Sequence, residues 1–264
     1  MNSPISHEGN AETYVFLALT DNIGVLLHDR TTGATASIDA PDADAVLAAL
    51  EHTGWTLTDI LITHKHADHI DGIPGLRQRF PSVRVTAPLS ERDAIGDVDV
   101  TVIDGDMVMV GSLRAKVIAT PGHTLGHVVY WFEKEKALFA GDTLFALGCG
   151  RIFEGNAADM WAALDGLRHL PDDTRIYCGH EYTLANAKFS LTIDPNNKAL
   201  QERARSIEAL RKEGRLTIPS LMSDEKATNP FLRGDDPTIA SAVGLTGHMA
   251  AEVFAELRER KNHF

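Results

Sequence analysis

Cysteine is scarce: Cys149 and Cys178 are the only two in 264 residues. Two cysteines make a disulfide framework a poor expectation, so reduced thiols and a cytoplasmic setting are expected. Positive charge is short as well, with 25 Lys and Arg against 37 Asp and Glu and a formal net charge of −12. Nucleic acid and anionic membrane are excluded as partners, because both need clustered basic residues. No apolar run approaches the roughly 18 residues of a membrane span. The polar stretch Met1–Thr13 lacks the charged-then-apolar pattern of a secretory signal. There is no internal repeat and no low-complexity segment. An anionic small molecule must therefore be met by local positive features working against a negative overall field.

What is present is the composition of a globular chain, 44% hydrophobic and 23% charged, with length for one large domain or two unequal ones. Short β-rich runs separated by turn residues predict strands at Tyr14–Thr20, Val25–Asp29 and Thr35–Asp39. Pro41 is expected to open a helix with Val46, Leu47 and Leu50 on one face, stopped near Gly54. Further strands are expected at Ile60–Thr63, Val83–Thr86, Val100–Ile103, Lys116–Ala119, Val128–Phe132, Ala137–Ala140 and Arg175–Cys178. Ala157–Leu170 has the apolar spacing of an amphipathic helix, halted by Pro171. After Glu181 the pattern turns helical, at Thr183–Ile193 and Asn196–Lys212. An irregular stretch from Gly214 to Pro237 and a last helix over Gly247–Arg260 follow. This order predicts an α/β catalytic domain over residues 1–183 and a small all-helical domain over 184–264.

The densest chemistry is Thr63-His64-Lys65-His66-Ala67-Asp68-His69, directly after a predicted strand. Three imidazoles and a carboxylate in six residues suit zinc or a similar first-row metal. In an extended loop His64 and His66 project together, and the turn through Asp68 and His69 can face a second ion. Three more potential ligands stand beside glycine at strand ends: His123 in PGHT, Asp142 in GD and His180 in GH. Each alone would pass for a turn or cap residue; four such pieces in order point to one metal chemistry. His127 enters the next strand and is read as a structural histidine. His7, His28, His52, His169, His248 and His263 have no companions and are read as surface residues. No GxSxG elbow is present. Cys149 between two glycines and Cys178 among apolar neighbours are read as packed residues and not as nucleophiles.

The series THxHxDH, PGHT, GD and GHEYT resembles the metallo-β-lactamase superfamily. Within it the chain is similar to glyoxalase II, the hydroxyacylglutathione hydrolases, through GDTLF, GCGRIFEG, CGHEYT, NPFLR and LRERKNHF. The likeness runs over nearly the whole chain, including the helical C-terminal part. It implies an αββα sandwich with two divalent metals, zinc first, with iron or manganese also accommodated. By matching position, His64, His66 and His123 would hold one ion, and Asp68, His69 and His180 the other. Asp142 would bridge them, with a shared hydroxide as nucleophile. Asp68 and Asp142 are thus the residues next to the chemistry, as ligands first.

The resemblance further implies a glutathione site lined by Arg151, Phe153, Tyr182, Arg258 and Lys261. Arg258 and Lys261, three apart near the end of the last helix, would grip the glycine carboxylate of glutathione; cations there also complement the helix dipole. Phe153 stands where relatives carry Tyr, which removes a hydroxyl and leaves Tyr182 to supply one. Asp71 departs from a small residue and is expected to cap the helix beginning near Pro74. Gly24 departs from a bulkier residue and is expected to loosen the first hairpin, and Arg233 is expected to tie the irregular stretch to the core. The implied reaction is hydrolysis of S-lactoylglutathione to D-lactate and glutathione by a monomer. An iron-dependent persulfide dioxygenase or another hydrolase of the superfamily is the alternative.

Overall fold

The structure, a computed structural model, describes residues 5–264. Met1 to Pro4, the start of the polar stretch expected to carry no signal, lie outside the described residues. The chain divides into two compact units. One holds the chain up to Ala119 together with Gly126–Gly141, and the other holds Thr120–Leu125 together with Asp142–Phe264.

The first unit contains strands β1 (Ser6–Glu8), β2 (Ala11–Ala18), β3 (Asn22–Asp29) and β4 (Thr35–Ile38), then helix α1 (Ala43–Thr53). Next come β5 (Asp59–Leu61), α2 (Ala67–Ile70), α3 (Ile73–Arg79), β6 (Arg84–Pro88), α4 (Arg92–Ile95) and β7 (Val100–Val102). These seven strands form one sheet in sequence order, antiparallel through β4 and parallel from β4 to β7. An antiparallel meander follows, of β8 (Met107–Val110), β9 (Leu113–Ala119), β10 (Val128–Phe132) and β11 (Ala137–Gly141). Residues Val128–Phe132 of β10 are all buried, as a continuous apolar run predicts for a strand covered on both faces. The Tyr130 hydroxyl inside it donates to the Ile62 carbonyl at 2.7 Å.

Two local devices order this unit. Asp42 caps α1 by accepting from the Ala45 N–H at 2.8 Å, and Gly54 ends the helix in the left-handed region. Pro41 therefore precedes the cap instead of opening the helix. At the end of β3, Asp29 accepts from the Thr31 and Ser112 N–H groups and from the Thr32 and Ser112 hydroxyls. Those four donors outweigh burial and hold its carboxyl down to about 2.

Asp71 does not cap α3: the N-cap is Gly72, with no side-chain cap bond, and Asp71 instead ends α2. A Cβ on Gly72 would stand 2.8 Å from the Ala40 carbonyl oxygen, so close backbone approach governs that position. Gly24 does not loosen the hairpin. It pairs directly with Phe16, whose ring occupies the space a side chain would need, with a Cβ at 2.3 Å. His28 is not a bare surface residue; its ring stacks on Trp55 at 4.6 Å and its Nδ1 lies 2.9 Å from the Thr35 hydroxyl.

The second unit opens with a two-stranded hairpin, β12 (Leu144–Phe145) and β13 (Gly148–Cys149), then α5 (Ala157–Leu167) and β14 (Arg175–Cys178). Helices α6 (Thr183–Ile193) and α7 (Lys198–Lys212), strand β15 (Ser220–Leu221), and helices α8 (Met222–Thr228), α9 (Pro237–Ala242) and α10 (Ala250–Asn262) complete it. Ala187 of α6 and Leu200 and Ile207 of α7 form one apolar cluster with Leu147 of the hairpin. Trp161 of α5 meets Phe254 of α10, and Phe254 meets Phe231. The segment expected to be irregular contains α8, whose sequence MSDEKAT has no apolar stripe yet buries Met222, Glu225 and Thr228. Arg233 ties that segment down as expected, through Asp194 at 2.6 Å and Asp236 at 2.5 Å. Among the described residues no helix is long and apolar enough to cross a membrane.

Candidate metal centre

The first set of ligands sits where β5 runs out. Thr63 is anchored by Asp39, whose carboxylate accepts its N–H at 2.7 Å and its hydroxyl at 2.9 Å. Thr63 Oγ1 in turn lies 3.0 Å from His64 Nδ1, and Asp39 Oδ2 lies 2.8 Å from His69 Nδ1. One carboxylate thus sets both rings: each Nδ1 donates outward, leaving Nε2 with the lone pair a metal requires. Asp39 does this from a left-handed backbone conformation, φ 57°. His64 Nε2 and His66 Nδ1 face each other at 3.0 Å. The single turn α2 brings Asp68 beside His69, their Oδ2 and Nε2 3.7 Å apart. Asn22 donates to both the carbonyl and Oδ2 of Asp68, each at 3.0 Å. Buried Glu91 accepts the N–H of Lys65, between the first two histidines, at 2.7 Å and that of Gly126 at 3.1 Å. His127 is buried with its ring stacked on His64 at 4.8 Å, in keeping with a structural role.

The second set is gathered from three loops. His123 follows Gly122, at φ 148°, where a Cβ would lie 2.8 Å from Met160. Its Nδ1 is 2.8 Å from the Arg151 carbonyl, so Nε2 again carries the lone pair. Asp142 Oδ2 stands 3.4 Å from His123 Nε2 and 3.3 Å from His180 Nε2. Two ligands each about 2.0–2.1 Å from a tetrahedral ion are separated by roughly 3.3 Å, so this spacing suits a carboxylate sharing metals with both rings. In each set, then, the donors present suit first-row metal ions. The seven residues His64, His66, Asp68, His69, His123, Asp142 and His180 each offer a ligand atom.

The residues expected to grip substrate also lie in the second unit. Tyr182 stacks flat on His180 at 4.8 Å, interplanar angle 4°. Phe153 meets His123 edge-on at 5.2 Å, and the Arg151 guanidinium lies 6.0 Å from the Phe153 ring. Both aromatics are exposed, Phe153 at 58% and Tyr182 at 39%, although each is anchored against a metal-type histidine. Arg258 is buried, donates to the Cys149 carbonyl at 2.9 Å, and lies over Phe231 at 5.2 Å. The Lys261 ammonium sits over Phe189 and Phe264 at 5.3 and 5.0 Å, and burial with Arg258 nearby pushes its pKa down. Neither cysteine is poised for attack. Burial pushes the Cys149 thiol up and drives that of Cys178 up to about 12.

Asn22, Asp39 and Glu91 are the residues the sequence did not single out. Asn22 reads as a turn residue and Asp39 as a strand end; their roles come from partners 30 and 46 positions away.

The comparisons with known proteins agree with this chemistry. The metallo-beta-lactamase superfamily matches residues 25–180, and the hydroxyacylglutathione hydrolase C-terminus matches residues 181–264. The chain belongs to the metallo-beta-lactamase superfamily, with the α/β fold of that class followed by a helical C-terminal part. A hydroxyacylglutathione hydrolase from Rhodopseudomonas palustris strain BisB18 is 59% identical over 96% of this chain and 98% of its own length. One from Bradyrhizobium sp. strain ORS 278 is 56% identical over the same shares. Within the superfamily the chain is a member of the hydroxyacylglutathione hydrolase family. Among solved structures, ETHE1 from Myxococcus xanthus matches with a TM-score of 0.65 and 28% identity, covering 91% of this chain and 86% of that one.

Proposed function

We propose that the chain hydrolyses the thioester of S-lactoylglutathione and related S-2-hydroxyacylglutathiones. Water is consumed, the C–S bond breaks, and D-lactate and glutathione are released, the second step of methylglyoxal detoxification. The observation that carries this is the full-length likeness, C-terminal helices included, to hydroxyacylglutathione hydrolases.

His64, His66 and His123 would hold one divalent ion and Asp68, His69 and His180 a second, with Asp142 shared. Zinc is the first choice, and iron or manganese fit the same donors. When bound, two such ions acidify water toward a pKa of about 7 and polarise an acyl oxygen. The chain's own groups orient this chemistry: Asp39 fixes the His64 and His69 rings, and the Arg151 carbonyl fixes His123. The leaving thiol has a pKa of about 8.5, so its thiolate departs without a strong general acid. Asp68 and Asp142 therefore serve as ligands before any proton handling. Arg151, Phe153, Tyr182, Arg258 and Lys261 would receive glutathione. Tyr182 supplies the hydroxyl that Phe153 lacks, and the Arg258/Lys261 pair supplies the charge for a carboxylate.

Residues 1–183 would then be the catalytic domain and 184–264 the substrate-binding one, in a cytoplasmic monomer that takes a small molecule and neither nucleic acid nor membrane. Two buried free cysteines accord with a reducing compartment. The test sets S-lactoylglutathione against glutathione persulfide in an oxygen-electrode cell. Free thiol from the thioester with no oxygen uptake is expected; oxygen uptake with the persulfide and no thioester turnover would overturn the proposal.

A further inference from the structure

The loop between Asp142 and Arg151 is a hairpin of unusual dependence. Five consecutive carbonyls along it each accept from a side chain of the C-terminal helical part. Asn229 Nδ2 donates to Phe145 at 3.3 Å and to Gly148 at 3.0 Å. Asn186 Nδ2 donates to Ala146 at 3.1 Å, the Ser190 hydroxyl to Leu147 at 3.2 Å, and Arg258 to Cys149 at 2.9 Å. At the hairpin tip Leu147 adopts φ 58°, and its N–H donates to buried Glu225 at 2.8 Å. Glu225 is itself held by Arg203 and by Asn229. The backbone groups of a two-residue tip cannot satisfy one another, and left unpaired and buried each would destabilise the fold. Gly148 admits this arrangement, since a Cβ there would lie 2.4 Å from the Asn186 amide.

The legs of the hairpin lead to the metal chemistry. Gly150 N–H donates to the Thr143 carbonyl at 3.2 Å, and a Cβ on Gly150 would strike the Asp142 carbonyl oxygen at 1.9 Å. The next carbonyl, of Arg151, is the acceptor that orients His123. A shift of the hairpin therefore displaces Asp142 and releases His123 together.

We propose that the C-terminal helices are the template for this metal-ligating hairpin, and that Asn229 is the positioning residue that sets Asp142 and His123. Asn229 touches no ligand, yet its one amide joins both strands of the hairpin to Glu225. The helical part thus has a second task besides receiving glutathione. The proposal rests on Asp142 and His123 being metal ligands, as set out above.

The test is Asn229→Asp, which removes the amide donor and sets a carboxylate against two carbonyls and Glu225. Metal retention in the presence of a competing chelator is measured on folded protein, with the visible spectrum of the cobalt-substituted enzyme and kcat and KM for S-lactoylglutathione. Retention is expected to fall about 10- to 100-fold, the range for outer partners of metal ligands. The cobalt spectrum should change and kcat fall more than KM rises. Ser190→Ala removes one weaker donor and should shift retention in the same direction by a few-fold, and it carries the test if Asn229→Asp does not fold. Wild-type retention and an unchanged spectrum in the folded variant would overturn the proposal, even with a lower melting temperature. Wild-type protein that binds no metal would instead overturn the functional reading on which it rests.

Discussion

The two ligand sets are built in opposite ways. His64, His66, Asp68 and His69 occupy one short segment, and their orienting partners come from the same unit, Asn22 and Asp39 from the strand framework and Glu91 from the short turn after β6. His123, Asp142 and His180 are scattered over three loops, and the hairpin beside Asp142 is held by helices that follow much later in the chain. A compact motif needs only a rigid strand tip and one well-placed carboxylate. A dispersed one needs a template. The second set should therefore be the more sensitive to remote substitution, which would give the C-terminal helices a part in the proposed metal chemistry as well as in the proposed substrate capture.

Removal of a ligand should erase the contrast if both sets serve the proposed reaction. His66→Ala and Asp142→Asn should each lower kcat/KM for S-lactoylglutathione by roughly a thousandfold or more, with loss of bound metal seen by elemental analysis. A variant of either kind that keeps full activity would break the account. Next in size, Asp39→Asn weakens the acceptor shared by Thr63 and His69. It should cut metal retention about 10- to 100-fold in chelator competition, with a change in the spectrum of the cobalt-substituted enzyme.

Substrate contacts should respond differently from either set. Lys261→Ala is expected to raise KM about tenfold with kcat nearly unchanged, the signature of lost uniform binding. A large fall in kcat with constant KM would mean that this lysine acts on the metal site instead. The smallest effect concerns the strand framework alone. The Asp29 carboxyl is held down to about 2, below its unfolded value, so its stabilisation is present above about pH 4 and fades as pH falls toward 2. Denaturant unfolding from pH 6 down to pH 2 should show Asp29→Asn losing stability at the upper end and converging with wild type at the lower. A constant gap across that range would remove Asp29's charge from the explanation.

How much was legible follows the same divide. His64 through His69 stand out because ligand chemistry is concentrated in six residues, and His123, Asp142 and His180 because each follows a glycine at a strand end. Strands such as Val128–Phe132 announce themselves by continuous apolar runs. Asn186 and Ser190 give no such signal, and Asn229 stands out only as the start of NPFLR: each is an ordinary polar residue in or after a helix, and its role exists only once the hairpin lies against it. Helix α8 is hidden because its seven residues carry no stripe, and Asp71 does not cap α3 because close backbone approach at Gly72 decides where that helix begins. Local chemistry is visible in order along the chain. Satisfaction of distant backbone groups is not.

Whether a two-metal site in this chain hydrolyses a glutathione thioester is decided by counting metals per chain while following S-lactoylglutathione turnover as the protein is stripped with a chelator and reloaded with zinc. Two ions per chain, activity lost on stripping and activity regained with the second equivalent are the predicted result. Full turnover in stripped protein, or a single iron with oxygen consumption and no thioester hydrolysis, would contradict it.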